Sequence, residues 1–566
     1  MTATSQPVDH TGLDRLIDEL RRGANAWASI SLHERAALLL RTRDAVRDTA
    51  AAWADTAIRI KQTPPSVRGE EWLAGPYITM ATLTATAQTL TTLARGGNPV
   101  DGIPVGQAPG GRITLEVLPH GVQEALLLNG FSGAIWMPPG VGIDEVRATA
   151  GLGARRPTES GGVGLVLGAG NATLIGPLDA LYELVAHNRV SVLKLNPTFA
   201  EMLPVYEKAF APLIRRDLLR IINGEGDVGE YITGHPDVGH VHITGSASTH
   251  DAIVWGRGTE GERRRATHAP LMSKPITSEL GGVSPIIVVP GKWSDADLAY
   301  QAENVATQKL QNSGHNCIAG QAMIMSSSWP QRAQFLDAIR KVFDSLPPRE
   351  NWYPGSDRNM ARAQHAYPHA ERHGGRMLIE VGDSTSDELY RTEYFSPVLG
   401  HTTIPGIGVD FLRNAVRFAN DRLVGTLGAG LIVAPHDRKE MGGAFTEAIA
   451  ELRYGTIGIN CWSATGYLAP VMPWGAYPGN TIDDVGSGIG VVHNTRLIAD
   501  PERVVVNGPF RPFPRSWLGG EASTAPPMPW FVTSKANTSA SKALTHYAGH
   551  PGWGRIPGVF KAILMP

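Results

Sequence analysis

Cys317 is one of two cysteines in a chain of 566 residues. A sequence that sparing with thiols is not building a disulfide framework, so each cysteine is either a small buried apolar residue or a reagent. The surrounding stretch reads Asn312-Ser313-Gly314-His315-Asn316-Cys317-Ile318-Ala319-Gly320. Its small and amide side chains leave room around a sulfur and offer it hydrogen-bond donors, and a thiolate is a good nucleophile near neutral pH. Five other short patterns stand in order along the chain: Leu167-Gly168-Ala169-Gly170-Asn171, Val192-Leu193-Lys194, Ile243-Thr244-Gly245-Ser246, Glu279-Leu280-Gly281-Gly282-Val283-Ser284-Pro285 and Glu393-Tyr394-Phe395-Ser396-Pro397-Val398. Taken singly, each residue has an ordinary structural use. Cys317 suits a core, Asn171 a turn or helix cap, Lys194 a solvated strand end, Ser246 an N-cap and Glu279 a surface carboxylate. Cys461, after the apolar run Thr456–Asn460, has no such company and reads as structural.

Elements must hold these patterns in place. Leu13, Leu16, Ile17 and Leu20 form one apolar helical stripe, and Ser31-Leu32-His33-Glu34 reads as a capping box opening a second helix. Helical patterns continue to about residue 94, a Gly/Pro break follows, and Arg112–Pro119 alternates like an extended segment. From Gly162 the texture becomes strand, helix, strand: Val163–Gly168, Asp179–His187, Val190–Lys194, Glu201–Ile214, Leu218–Asn223, then His240–Thr244. Such alternation implies a parallel twisted sheet with ligands at the C-terminal strand ends. A second α/β series starts near Ser284–Val289 and runs past Leu431–Val433. The run Arg263-Arg264-Arg265 reads as a solvated loop, and Pro512–Pro566, rich in Pro, Ser and Trp, as an irregular appendage. Lys and Arg number 51 against 53 Asp and Glu, which gives no basic surplus to attract nucleic acid. The uncharged runs Ala125–Ile143 and Gly161–Leu178 are broken by Gly, Pro and Asn, poor material for a membrane helix. Two cysteines and a polar start, Met1–Gly12, point to the reducing cytoplasm.

The ordered set resembles the aldehyde dehydrogenase superfamily over about Gly151 to Asn494. The resemblance implies an α/β fold with a Rossmann-like dinucleotide-binding domain, an α/β catalytic domain and a β-strand oligomerisation arm. The expected boundaries are 1–276 for the N-terminal helices and dinucleotide domain, 277–494 for the catalytic domain, and 495–566 for the arm and appendage. It implies Cys317 as nucleophile, forming a thiohemiacetal and then a thioester. The Asn171 amide and the Cys317 N–H serve the oxyanion, and Glu279 activates the hydrolytic water. Lys194 is expected at the adenosine ribose, Gly245 and Ser246 near the diphosphate, and Glu393 with Phe395 at the nicotinamide ribose. The cofactor is then NAD or NADP, the substrate a small-molecule aldehyde, the assembly a homodimer or homotetramer, and no metal is required.

Three departures mark a divergent branch. His315 stands where the family has a glutamine, two residues before the cysteine. Pro197 stands where NAD-using members carry a ribose-binding glutamate, which leaves NAD and NADP both open. Gly256–Pro275 is longer and more charged than the usual link. Two rival readings accompany the leading one: a CoA-acylating or reductive relative, and a catalytically inactive dinucleotide-binding or assembly protein. Trp462, Tyr467 and Trp474, with the helix after Asn171, are the expected lining of the substrate tunnel.

Overall fold

The computed structural model describes residues 9–382 and 385–564; the first eight residues of the polar start lie outside it. Two long helices open the chain, His10–Ser29 capped by Asp9 and Leu32–Ile60 capped by Ser31. The capping box forms as the spacing demands: Glu34 N–H donates to Ser31 Oγ while Ser31 N–H donates to the Glu34 carboxylate. A short helix, Gly69–Trp72, then breaks at Leu73–Tyr77, where Gly75 and Pro76 interrupt the helical path before Ile78–Ala94. Proline lacks the N–H that the helix needs there.

Three strands follow: β1 (Val105–Ala108), β2 (Arg112–Leu118) and β3 (Ser132–Trp136). The alternating region then supplies β4 (Val163–Leu167), β5 (Val190–Lys194), β6 (Leu219–Ile222), β7 (Val238–Gly245) and β8 (Ile276–Leu280). The second series contains β9 (Ser284–Val288), β10 (Gly320–Ser326), β11 (Glu371–His373), β12 (Arg376–Glu380), β13 (Val398–Ile404), β14 (Gly428–Ile432) and β15 (Thr456–Ile459). Three two-residue strands, β16 (Trp474–Gly475), β17 (Gly488–Ile489) and β18 (Val491–Val492), precede β19 (Arg503–Asn507).

Two large sheets result. The first runs β17-β8-β7-β4-β5-β6 and is parallel except at β17. The second has eleven strands in the order β1-β2-β3-β19-β15-β14-β9-β10-β13-β12-β11, with a parallel centre and antiparallel ends. Their central strands are buried on both faces and read accordingly as Val/Ile/Leu runs, such as Val190–Leu193 and Ile286–Val288. β8 begins at residue 276 and belongs to the first sheet, whereas β1–β3, from the N-terminal part of the chain, belong to the second. Among the described residues no helix is long and apolar enough to cross a membrane.

Two segments differ from the sequence expectation. Arg263–Arg265 lies in a helix, Gly258–Ala266, rather than a loop. Glu260 one turn earlier pairs with Arg263 (2.7 Å) and Arg264 (3.1 Å), which offsets the repulsion within the run. The tail is also less irregular than its composition suggests. It forms helices at Arg515–Leu518, Asn537–Gly549 and Ile556–Leu564, and the middle one buries the small residues Ala540, Ser541, Thr545 and Ala548 against Gly69–Tyr77. Glu201–Ile214 likewise divides, into a short 3-10 turn and helices Leu203–Ala209 and Ala211–Ile214.

Candidate active site

Cys317 lies in the turn between helix Asp295–Leu310 and β10. Asn312, Ser313 and Gly314 all have left-handed backbone, at φ 54°, 56° and 77°. Such conformations persist in non-glycine residues only where surroundings enforce them. Here Glu70, from the short helix Gly69–Trp72, accepts the Asn312 N–H at 3.0 Å and is itself clamped by both terminal nitrogens of Arg349 (3.1 and 2.7 Å). The Asn312 amide donates to the Asn171 and His315 carbonyls at 2.9 and 3.0 Å, tying the turn to the loop after β4.

Cys317 Sγ donates to Glu279 Oε1 at 3.4 Å, and Trp474 Nε1 donates to the same oxygen at 2.9 Å. Glu279 is buried, and burial pushes its carboxyl up to about 7, with the Asp179 charge acting in the same direction. Burial and the Glu279 and Glu393 charges push the Cys317 thiol well above its ordinary value. The free protein therefore holds a protonated thiol directed at a carboxylate poised to accept its proton.

Asn171 lies beside this pair. One hydrogen of its amide goes to the His315 carbonyl at 3.0 Å. His315 is fully buried, and burial pushes its imidazole down to about 3, so it is neutral; it meets Ser356 Oγ at 2.9 Å and packs among Trp352, Tyr353 and Phe395.

Two cavities converge on these residues. A cleft of about 1210 Å³ crosses the C-terminal ends of β4, β5 and β7. Lys194, Gly245, Ser246, Glu393 and Phe395 all line it, as does Pro197. Ser246 also performs an N-cap role, accepting the Thr249 N–H at 3.1 Å. Burial lowers the Lys194 ammonium, with Glu225 and Asp227 opposing. Arg257 and Arg264, from the long link after β7, line the same cleft, and Arg257 reaches the Gly226 end of helix Gly226–Gly234. Glu393 is half-buried with Oε1 buried and unpartnered, and desolvation pushes its carboxyl up to about 8; Lys309, pushed down to about 7 by burial, faces it. A Cβ at Gly281 would lie 2.1 Å from that carboxylate, so only glycine admits Glu393 there.

The second cavity, about 110 Å³, lies on the other side and is mostly apolar. Leu73, Ile78, Trp462, Tyr467, Trp474 and Trp530 are among its walls. Asn171, Thr244, Glu279 and Cys317 border both spaces, so the sulfur stands at their junction. Sequence reasoning missed Glu70 and Arg349, which hold the turn, Lys309, which faces Glu393, and Asp179 and Trp530 in the second cavity. None carries a local motif; each acts through a neighbour distant in the chain.

Residues 162–364 match the model of the aldehyde dehydrogenase family. Over that segment the chain is similar to the aldehyde dehydrogenase family. Solved structures share the fold across most of the molecule. A putative aldehyde dehydrogenase from Burkholderia cenocepacia is 20% identical, with a TM-score of 0.57 over 89% of this chain and 93% of its own. Aldehyde dehydrogenase C from Pseudomonas syringae, solved with NAD+ and octanal, is 18% identical, with a TM-score of 0.59 over 88% of each chain. An NADP-dependent glyceraldehyde-3-phosphate dehydrogenase from Bacillus halodurans C-125, solved with NADP, is 17% identical, with a TM-score of 0.57 over 88% and 91%. The matched segment carries Asn171, Lys194, Ser246, Glu279 and Cys317, while Glu393 and the tail lie beyond it.

Proposed function

We propose that this protein oxidises an aldehyde to a carboxylic acid with NAD or NADP, by way of a thiohemiacetal and a thioester on Cys317. The observation that carries the reading is the Cys317–Glu279 contact of 3.4 Å at the junction of the two cavities. A nucleophile needs a base within hydrogen-bond reach, and a thiol held this high in pKa needs one more than most.

The cleft suits a dinucleotide. Its floor is formed by strand ends with glycines, and Glu393 Oε1 is a buried acceptor with no protein donor, fit for a ribose hydroxyl. Solved relatives of the same fold hold NAD+ or NADP. Pro197 offers no carboxylate to an adenosine ribose, while Lys194 and Arg257 offer positive charge, so both cofactors fit the groups present. Lys194, Ser246 and Glu393 would hold the dinucleotide, which would supply a hydride acceptor beside the carbon carried by Cys317.

The chain's own residues do the rest. Glu279 takes the thiol proton, and the sulfur adds to the aldehyde carbon. The second Asn171 N–H and the Cys317 N–H are the donors at hand for the resulting oxyanion. Once a thioester stands on Cys317 and Glu279 has passed the thiol proton to solvent, the ionised Glu279 draws a proton from water, the oxygen adds to the thioester carbon, and the C–S bond breaks to release the acid, the sulfur recovering its proton from Glu279. Glu279 at the sulfur supports hydrolysis over transfer to CoA. By the same resemblance the protein assembles as a homodimer or homotetramer, and its two free cysteines suit the cytoplasm.

The test is the ultraviolet absorbance of reduced nicotinamide, followed with a panel of aldehydes, each cofactor in turn, with and without CoA. The expected result is turnover without CoA and a free acid product. A folded sample that binds dinucleotide yet reduces neither cofactor with any aldehyde overturns the proposal, and turnover that requires CoA replaces hydrolysis with acyl transfer.

A further inference from the structure

Two polar atoms at the aldehyde cavity have no partner. Asp179, from helix Ile175–Ala186, is 1% exposed, and its Oδ1 is buried without a hydrogen bond. Its other oxygen, Oδ2, accepts from Thr244 Oγ1 at 2.8 Å and lies 3.5 Å from His242 Nε2. The His242 ring is fixed between Thr277 Oγ1 (2.9 Å) and Thr244 Oγ1 (3.2 Å). The carboxylate is thus held from behind by β7 and β8. The second atom is Tyr467 Oη, also buried and unpartnered. Its ring stacks on His493 at 4.2 Å and meets Trp474 edge-on at 5.1 Å, which leaves it little freedom to turn.

Asp179 and Tyr467 line the same cavity as Cys317 and Glu279. They do not bond each other, yet the Asp179 charge joins burial in pushing the Tyr467 phenol up. Buried polar groups are nearly always paired. A carboxylate oxygen can only accept, whereas a phenol O–H donates. The group that completes both donates to one and accepts from the other, and an alcohol hydroxyl does so. A protonated amine would satisfy Asp179 and leave the Tyr467 O–H without an acceptor.

We propose that the cavity recognises a hydroxyl group on its substrate, Asp179 Oδ1 accepting from it and Tyr467 Oη donating to it, so that the aldehydes oxidised are short hydroxyaldehydes. The walls also include the apolar Leu73, Ile78, Ile175 and Trp462, and a space of about 110 Å³ suits a short carbon chain. The inference rests on the dehydrogenase reading above.

The test compares aldehydes matched in size, with and without the hydroxyl: 3-hydroxypropanal against butanal, 2-hydroxypropanal against 2-methylpropanal, and 4-hydroxybutanal against pentanal, with 3-aminopropanal as the cationic arm. A site built to bond a hydroxyl strongly rejects the analogue lacking it. In at least one pair the hydroxylated member is expected to have the higher kcat/KM, by about tenfold or more. Tyr467→Phe and Asp179→Asn are each expected to pull that ratio back toward one. Should Asp179→Asn fail to fold, Tyr467→Phe carries the comparison alone. Equal kcat/KM within every pair, or a preference for the amine, overturns the hydroxyl proposal and leaves the dehydrogenase reading standing. No turnover of any aldehyde overturns the dehydrogenase reading, and this one with it.

Discussion

Glu279 Oε1 accepts two hydrogen bonds at once, from Trp474 and from Cys317. Burial places its carboxyl near 7, so the fraction able to take a proton changes across the neutral range. Below pH 7 the group is protonated and cannot serve as base; above it, it is ionised and can. The rate of acid formation is therefore expected to rise with pH through about 7, and Glu279→Gln to abolish that rise and lower turnover by roughly 10²–10⁴-fold. A kcat–pH profile checks this, and a surviving limb in the Gln variant would assign it to another group. At this scale the sequence named several of the residues that the fold brings to the two cavities. Cys317, Glu279, Asn171 and Lys194 are legible as an ordered family pattern. Trp474 is legible as an aromatic but not as the donor to Glu279, because that bond joins two residues whose strands, β16 and β8, lie far apart in the chain. Asp179 is illegible for a similar reason: a helix-face aspartate gains meaning only when Thr244 and His242 are folded against it.

The turn before Cys317 depends on another element. Three successive left-handed residues are held by one carboxylate, Glu70, and its clamp Arg349, and Glu70 and Arg349 are both nearly buried. Removing one partner strands the other's charge, which typically costs about 3–5 kcal/mol. Glu70→Ala is expected to lower stability on that order and to slow aldehyde oxidation while dinucleotide affinity changes little. Chemical denaturation, steady-state kinetics and a dinucleotide titration check the three parts, and full activity in a destabilised variant would show that the turn keeps its shape unaided. Helix and strand placement was readable where periodicity is strong, as in the capping box at Ser31 and the β4–β7 alternation. It failed at Arg263–Arg265, where like charges suggest a loop and a glutamate one turn earlier supports a helix. It failed again in the tail, where helix Asn537–Gly549 buries small residues that make no apolar stripe.

Across the whole molecule the tail is part of the candidate site. Trp530 walls the second cavity, and helix Asn537–Gly549 lies against Gly69–Tyr77 so closely that a Cβ on Gly69 would come within 2.1 Å of the Asn537 carbonyl oxygen. Deleting residues 521–566 is expected to lower Tm by at least several degrees and to lower kcat/KM for short aldehydes through a higher KM, since the wall is gone while Cys317 and Glu279 remain. Thermal melts and substrate saturation curves measure both, and a truncated protein with unchanged KM would make the tail a passenger.

β19 is paired on both sides, to β3 and to β15, and among the described residues it is the strand through which β1–β3 pair with the remainder of the eleven-stranded sheet. A ribosome makes this chain from the N-terminus, and folding begins before synthesis ends. The β1–β3 meander gains its place in the eleven-stranded sheet only when residues 503–507 arrive, and the wall of the second cavity is completed later still, by Trp530. Cys317 is made more than 200 residues before Trp530, so the nascent protein passes through a stage in which its thiol is present and the cavity beside it is open.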